Sequence, residues 1–65
     1  MNRQKVIKSI ATRYYEIELI ADSDDMYKIK FELTGFSEPK YSEPIQDLNV
    51  ALKLFDIKVR EVEGH

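Results

Sequence analysis

Two stretches of this chain alternate strictly between apolar and polar positions. In residues 26–34, Tyr27, Ile29, Phe31 and Leu33 fall on one side, and Lys28, Lys30 and Glu32 fall on the other. In residues 14–20, Tyr15, Ile17 and Leu19 alternate with Tyr14, Glu16 and Glu18. A period of two marks a strand with one dry and one wet face, and Tyr, Ile and Phe favour strands. The two runs therefore predict an antiparallel hairpin, 14–20 with 26–34. Directly opposed residues must share a face. Pairs whose numbers sum to 46 meet that condition and set Glu18 against Lys28 and Glu16 against Lys30. A sum of 48 also keeps the faces, but it opposes Glu16 to Glu32. On that ground the sum of 46 is expected, with "ADSDD" at 21–25 as a five-residue loop of turn-forming residues.

Upstream, 5–13 has Val6, Ile7, Ile10 and Ala11 as its apolar members. It reads as a further N-terminal strand running on through a bulge where the phase shifts near Thr12 and Arg13. A helical reading competes, because Ile7, Ile10, Tyr14, Ile17 and Ala21 fit heptad spacing. It would leave 26–34 a lone strand, so the strand reading is preferred. Residues 34–44 hold one of the two glycines and both prolines, and they read as a connection with a short edge strand at Lys40–Tyr41. Ser42 is the expected helix N-cap, with Pro44 in the first turn. From there Ile45, Leu48, Leu52, Phe55, Val59 and Val62 recur at spacings of 3 and 4, the stripe of an amphipathic helix, with Gly64 as its stop. A rival ends the helix near Leu54 and adds a last strand through Phe55, Ile57 and Val59. One helix is preferred because no Gly or Pro marks a break. The expected fold is a single small α+β domain, 1–65, with an antiparallel sheet packed against one C-terminal amphipathic helix. Its core joins Tyr15, Ile17, Leu19, Tyr27, Ile29, Phe31 and Leu33 to Ile45, Leu48, Leu52, Phe55 and Val59.

Composition narrows the chemistry. A chain of 65 residues without cysteine has neither disulfides nor Cys-based zinc sites to reinforce a small core. The absence of Cys and of a signal-peptide pattern gives a cytoplasmic expectation, and no apolar run is long enough to suggest a membrane span. The net charge of −2 hides an asymmetry: Arg3, Lys5, Lys8 and Arg13 stand in the first 13 residues without an acid. The remainder carries six bases and twelve acids. The sole histidine is His65, no cysteine nucleophile exists, and the serines have no nearby histidine to activate them. An EF-hand calcium loop would need a third acidic or amide ligand and a glycine, and "ADSDD" is followed by Met26. No enzyme, no cofactor and no metal site is expected.

The run "YYEIELIADSDDMYKIKFELTGF", followed by "SEPIQDLNVALKLF", resembles the N-terminal domain of the HicB family of antitoxins. Tyr27 and Phe31 match the family's Y-x-x-x-F spacing, Leu33 and Gly35 its leucine–glycine turn, and 47–55 its helix. The turn's usual prolines are absent, with Glu32 and Thr34 in that region. The resemblance implies a shortened RNase-H-like fold and a solitary interaction module, without the DNA-binding domain of full antitoxins. The functional expectation is a non-enzymatic module that binds a protein partner and forms a homodimer. Val50, Leu54 and Ile57 lie off the helix stripe and, with Phe36 and Tyr41, form the candidate interface. The alternative is a nucleic-acid-associated regulator using Arg3, Lys5, Lys8 and Arg13.

Overall fold

A computed structural model of the chain describes residues 4–22, 25–35 and 38–64. Its elements are β1 (Lys5–Ala11), β2 (Tyr15–Ala21), β3 (Tyr27–Leu33), β4 (Lys40–Tyr41) and α1 (Leu48–Glu63). The strands form one antiparallel sheet in the order β1-β2-β3-β4. The helix lies on one face of it, against β2 and β3. This is the expected α+β architecture, hairpin included.

β1 is a strand, and it turns back onto β2. Its bulge falls between Val6 and Lys8, with Ile7 as the extra residue, and not near Thr12 and Arg13. Those two residues belong to a tight turn. The Thr12 N–H donates to the Tyr15 carbonyl at 2.8 Å, and the Thr12 hydroxyl accepts from the N–H of Tyr14 at 3.1 Å and of Tyr15 at 3.2 Å. A side-chain oxygen thereby takes the part of a backbone acceptor in the turn.

The β2–β3 register differs from the one charge pairing suggests. The ladder runs from Tyr15 opposite Leu33 to Ala21 opposite Tyr27, a sum of 48, and Glu16 faces Glu32. A slide of two residues keeps every side chain on its face, so the hydrophobic pattern is indifferent to it. The observed ladder matches Leu33, Phe31 and Ile29 to Tyr15, Ile17 and Leu19. The Thr34 N–H then extends the ladder to the Tyr14 carbonyl at 3.0 Å. At the other end the Asp22 N–H donates to the Met26 carbonyl at 2.7 Å, and Asp25 adopts φ 58°, a left-handed conformation that Asp tolerates. The like-charge cost is softened by Lys30, whose Nζ lies 3.6 Å from Glu18 Oε1 and 3.9 Å from Glu32 Oε1.

The helix also begins later than the stripe implies. Asp47 is the N-cap; its carboxylate accepts from the N–H of Asn49 at 2.8 Å and of Val50 at 3.4 Å. Ser42 belongs to the sheet edge instead. Its hydroxyl accepts from the Ile29 N–H at 2.9 Å, and its own N–H donates to the Ile29 carbonyl at 2.9 Å. Ile45 bridges Tyr27 through two backbone bonds of 2.7 Å, so Pro44 lies in this bridging segment and outside the helix. The helix then continues unbroken to Glu63, and the Gly64 N–H closes onto the Arg60 carbonyl. The rival last strand does not form.

Tyr15, Ile17, Leu19, Ile29, Ala51 and Phe55 make the buried core, with Ile10, Tyr27, Phe31, Ile45, Leu52, Val59 and Val62 packed around it. Leu33 and Leu48, expected inside, are exposed at the ends of their elements. Ala51, outside the expected stripe, is fully buried because the helix meets the sheet along Ala51 and Phe55. Ile20 is also buried, on the face away from the helix between Val6 and Lys28.

Two substitutions check this description. Glu16→Lys faces Glu32 in this register and is expected to raise stability in urea by about 0.2–1 kcal/mol. A ladder summing to 46 would set it against Lys30 and lower stability. Asp47→Ala removes the cap and is expected to cost about 1 kcal/mol in the same measurement.

Candidate functional site

Along α1 the residues that meet the sheet are Ala51 and Phe55. Val50 and Leu54 each lie one residue earlier, and Ile57 continues their line. At 3.6 residues per turn this line is rotated by about 100° from the buried one. All three are exposed, Val50 at 45%, Leu54 at 39% and Ile57 at 50%, so the off-stripe set forms one open apolar line on the helix. Leu54 and Ile57 form one wall of a groove of about 370 Å³ between α1 and the β3–β4 edge. Ile29 and Phe31 are its floor, Lys40, Tyr41 and Ser42 the opposite wall, and Lys58 and Glu61 its helix-side rim. Val50 lies beyond it on the same helix.

The groove's cations are placed by packing. The Lys58 ammonium lies 4.6 Å from the centre of the Phe31 ring. Lys40 is opposite Phe31 in the ladder and shares its face. The Ser42 hydroxyl is engaged at this wall: it accepts from the Ile29 N–H at 2.9 Å and donates to the Glu43 carbonyl at 3.1 Å. Sequence reasoning placed Ile29 and Phe31 wholly in the core and passed over Lys40 and Lys58. Ile29 is buried as expected, but the helix is narrower than the sheet and leaves Phe31 partly open toward β4.

Tyr41 borders the groove, but its ring is turned to the opposite sheet face. Tyr41 pairs with Lys30, an outward residue, and the Lys28 ammonium lies 4.8 Å from its ring centre. The structure thus separates the Tyr41 ring from Leu54 and Ile57. Phe36 lies outside the described residues, as do Arg3 and His65.

The basic N-terminal residues do not converge. Lys5 and Lys8 share the helix-side face of β1 by their pairing with Ala21 and Leu19. Arg13 stands in the turn at the far end, about 25 Å from Lys5 at the rise of an extended strand. Lys8 is already engaged: its Nζ lies 3.5 Å from Asp56 Oδ1 and 5.3 Å from the centre of the Phe55 ring. Among the described residues no group of three or more His, Cys, Asp or Glu could hold a metal ion. No described helix is long and apolar enough to cross a membrane.

Among the described residues two ionisable groups are shifted. Burial raises the Tyr15 phenol above its ordinary value, and its hydrogen bond to Glu63 Oε2, at 3.1 Å, adds to the effect together with that carboxylate's charge. Burial alone would lower Lys30, but the charges of Glu18, Tyr41, Glu32 and Glu16 outweigh it and raise the ammonium instead. No family model, no curated protein and no solved structure matches this chain.

Both shifts are upward, so the folded protein holds these two protons more tightly than the unfolded chain does. Their stabilisation is complete below the unfolded values of about 10 and is lost as pH rises through the folded ones. Stability in guanidinium is therefore expected to be insensitive to these groups near neutrality and to fall above about pH 10. Tyr15→Phe should make the alkaline fall shallower, read as denaturation midpoint against pH.

Proposed function

We propose that this protein is a non-enzymatic interaction module that binds a protein partner through the groove between α1 and the β3–β4 edge. The observation that carries this reading is the open apolar line of Leu54 and Ile57 meeting the groove floor, with Lys40 and Lys58 at its margins. The apolar surface runs past the cavity to Val50 along the helix, which favours a macromolecular partner over a small ligand. The partner's matching surface presents apolar side chains flanked by acids, which Lys40 and Lys58 complement. The resemblance to the HicB antitoxins, through Tyr27, Phe31, Leu33 and Gly35, implies an interaction module and agrees with this reading. We further propose that the protein acts as a homodimer, and, from the absence of cysteines, that it works in the cytoplasm.

Nucleic-acid binding is the reading the geometry favours less. Lys8 is held by Asp56 and Phe55, and Lys5 and Arg13 stand at opposite ends of β1. The outward sheet face mixes Glu16, Glu18 and Glu32 with Lys28 and Lys30, a poor match for phosphate. If phosphate contacts dominated, binding to generic DNA or RNA would fall steeply with salt.

The test compares proteins captured by the natural chain with those captured by a Leu54→Asp, Ile57→Asp variant, followed by calorimetry on each purified candidate. Both positions are exposed, so the variant should remain folded by circular dichroism. Binding is expected to weaken by at least about tenfold, or 1.4 kcal/mol. Candidates that bind both forms equally would remove the groove from the function.

A further inference from the structure

The two edges of the sheet are unequal. β4 is two residues long and bracketed by Pro39 and Pro44, neither of which has an N–H to offer another strand. That edge is closed to strand addition. β1 is seven residues long, exposed along almost its whole length, and among the described residues no strand pairs with its outer side. The helix packs on β2 and β3, so β1, like β4, lies outside its cover on the inner face.

The backbone groups of the β1 edge follow from the hairpin. The Thr12 N–H points to β2, bonded to the Tyr15 carbonyl. In an antiparallel ladder successive residues alternate in direction, so Ile10 and Lys8 also point to β2. Ser9 and Ala11 direct their N–H and C=O groups outward. Below Lys8 the bulge at Ile7 interrupts the edge, and above Ala11 lies the turn. The edge therefore offers two outward residues.

We propose that a second copy of this chain occupies this edge, β1 against β1, in one antiparallel register. This specifies the homodimer proposed above and leaves the groove free. Only one two-fold pairing uses both outward residues and no others: Ser9 opposite Ala11 of the second copy, with Ile10 facing its own counterpart at the dyad. It makes four backbone hydrogen bonds. Centring on Ser9 would push Ala11 against the bulge, and centring on Ala11 would push Ser9 against Arg13 in the turn. Centring on Lys8 would oppose two ammonium groups. In the proposed register Lys8 faces Thr12, and the two Lys8 positions are four residues apart along the strands, about 13 Å, beyond a Debye length of about 8 Å. Each Lys8 also keeps its contact with Asp56.

Ile10 supplies the apolar complement. It pairs with Ile17 on the helix side and packs at the margin of the core. Facing Ile10 of the second copy in a non-hydrogen-bonded pair, where side chains come closest, it joins the two cores across the dyad. The product is an eight-stranded sheet with both helices on one face.

The test is sedimentation of the full chain from about 1 to 100 µM, the range suited to a small interface, with amide hydrogen exchange over the same series. The expected result is a shift from monomer to dimer mass, with Ser9 and Ala11 amides gaining at least tenfold protection as the dimer forms. Ser9→Pro removes an outward donor while sparing the β1–β2 ladder, so it should remain folded and monomeric. Leu54→Asp with Ile57→Asp should remain dimeric, so a failure of the groove does not count as a failure of the edge. A natural chain that stays monomeric at the highest concentration overturns the proposal. So does a dimer whose Ser9 and Ala11 amides exchange freely; exchange on the natural chain decides the matter even if Ser9→Pro fails to fold.

Discussion

An α-helix with its side chains is about 10 Å across, and strands in a sheet lie about 4.8 Å apart. One helix can therefore cover about two strands of a four-stranded sheet. α1 covers β2 and β3, where the fully buried Ile17 and Leu19 sit under Ala51. What lies to either side follows from that width. Toward β4, Phe31 is left partly open and Lys58 folds over its ring. Toward β1, Lys8 reaches back to Phe55 and Asp56. Each margin is closed by a cation laid on an aromatic ring, an arrangement that covers apolar surface with an aliphatic stem and keeps the charge in water. The helix's own apolar arc is wider than the sheet beneath it can use, and Val50, Leu54 and Ile57 are the part left over.

Much of the architecture was legible because period-two and 3-4 spacings each report one face of one element. Tyr15, Ile17 and Leu19, with Ile29 and Phe31, could be assigned a side without knowing their partners. The short edge strand at Lys40–Tyr41 was legible because prolines bound it. The β2–β3 register was not, because a two-residue slide leaves every face unchanged and only weaker terms remain. Charge pairing was the visible one, and it pointed to the wrong register. The observed register is closed at its two ends by the Thr34–Tyr14 and Asp22–Met26 backbone bonds, and backbone bonds of that kind leave no mark on residue type. Lys30 then makes the unfavourable neighbours tolerable by serving Glu18 and Glu32 together.

The helix start shows a second kind of ambiguity. Ile45 stands three residues before Leu48 and so continues the helical spacing, yet it belongs to the sheet edge opposite Tyr27. Inward-facing strand positions and helix positions can share a spacing by chance where one element hands over to the next. Ser42 and Asp47 are both good caps by type, and the choice between them turns on which backbone N–H groups each can reach. Ser42 meets the Ile29 N–H, a long-range partner invisible to local reasoning. The off-stripe set was legible as exposed, since helical phase alone predicts it. The Tyr41 ring was not, since its side depends on the pairing of a two-residue strand.

The attachment of β1 has a mechanical consequence. Among the described residues its holds on the remainder are the ladder to β2, the packing of Ile10 at the core margin and the reach of Lys8 to the helix. A pull on the chain at Lys5, directed across the strands and away from β2, would load those rungs one after another, as a zipper opens. A pull at Glu63 along the helix would load it lengthwise against two strands at once, as shear. The molecule is thus soft at one end and stiff at the other, and a tether or a protease acting near the start of the chain meets the weaker direction.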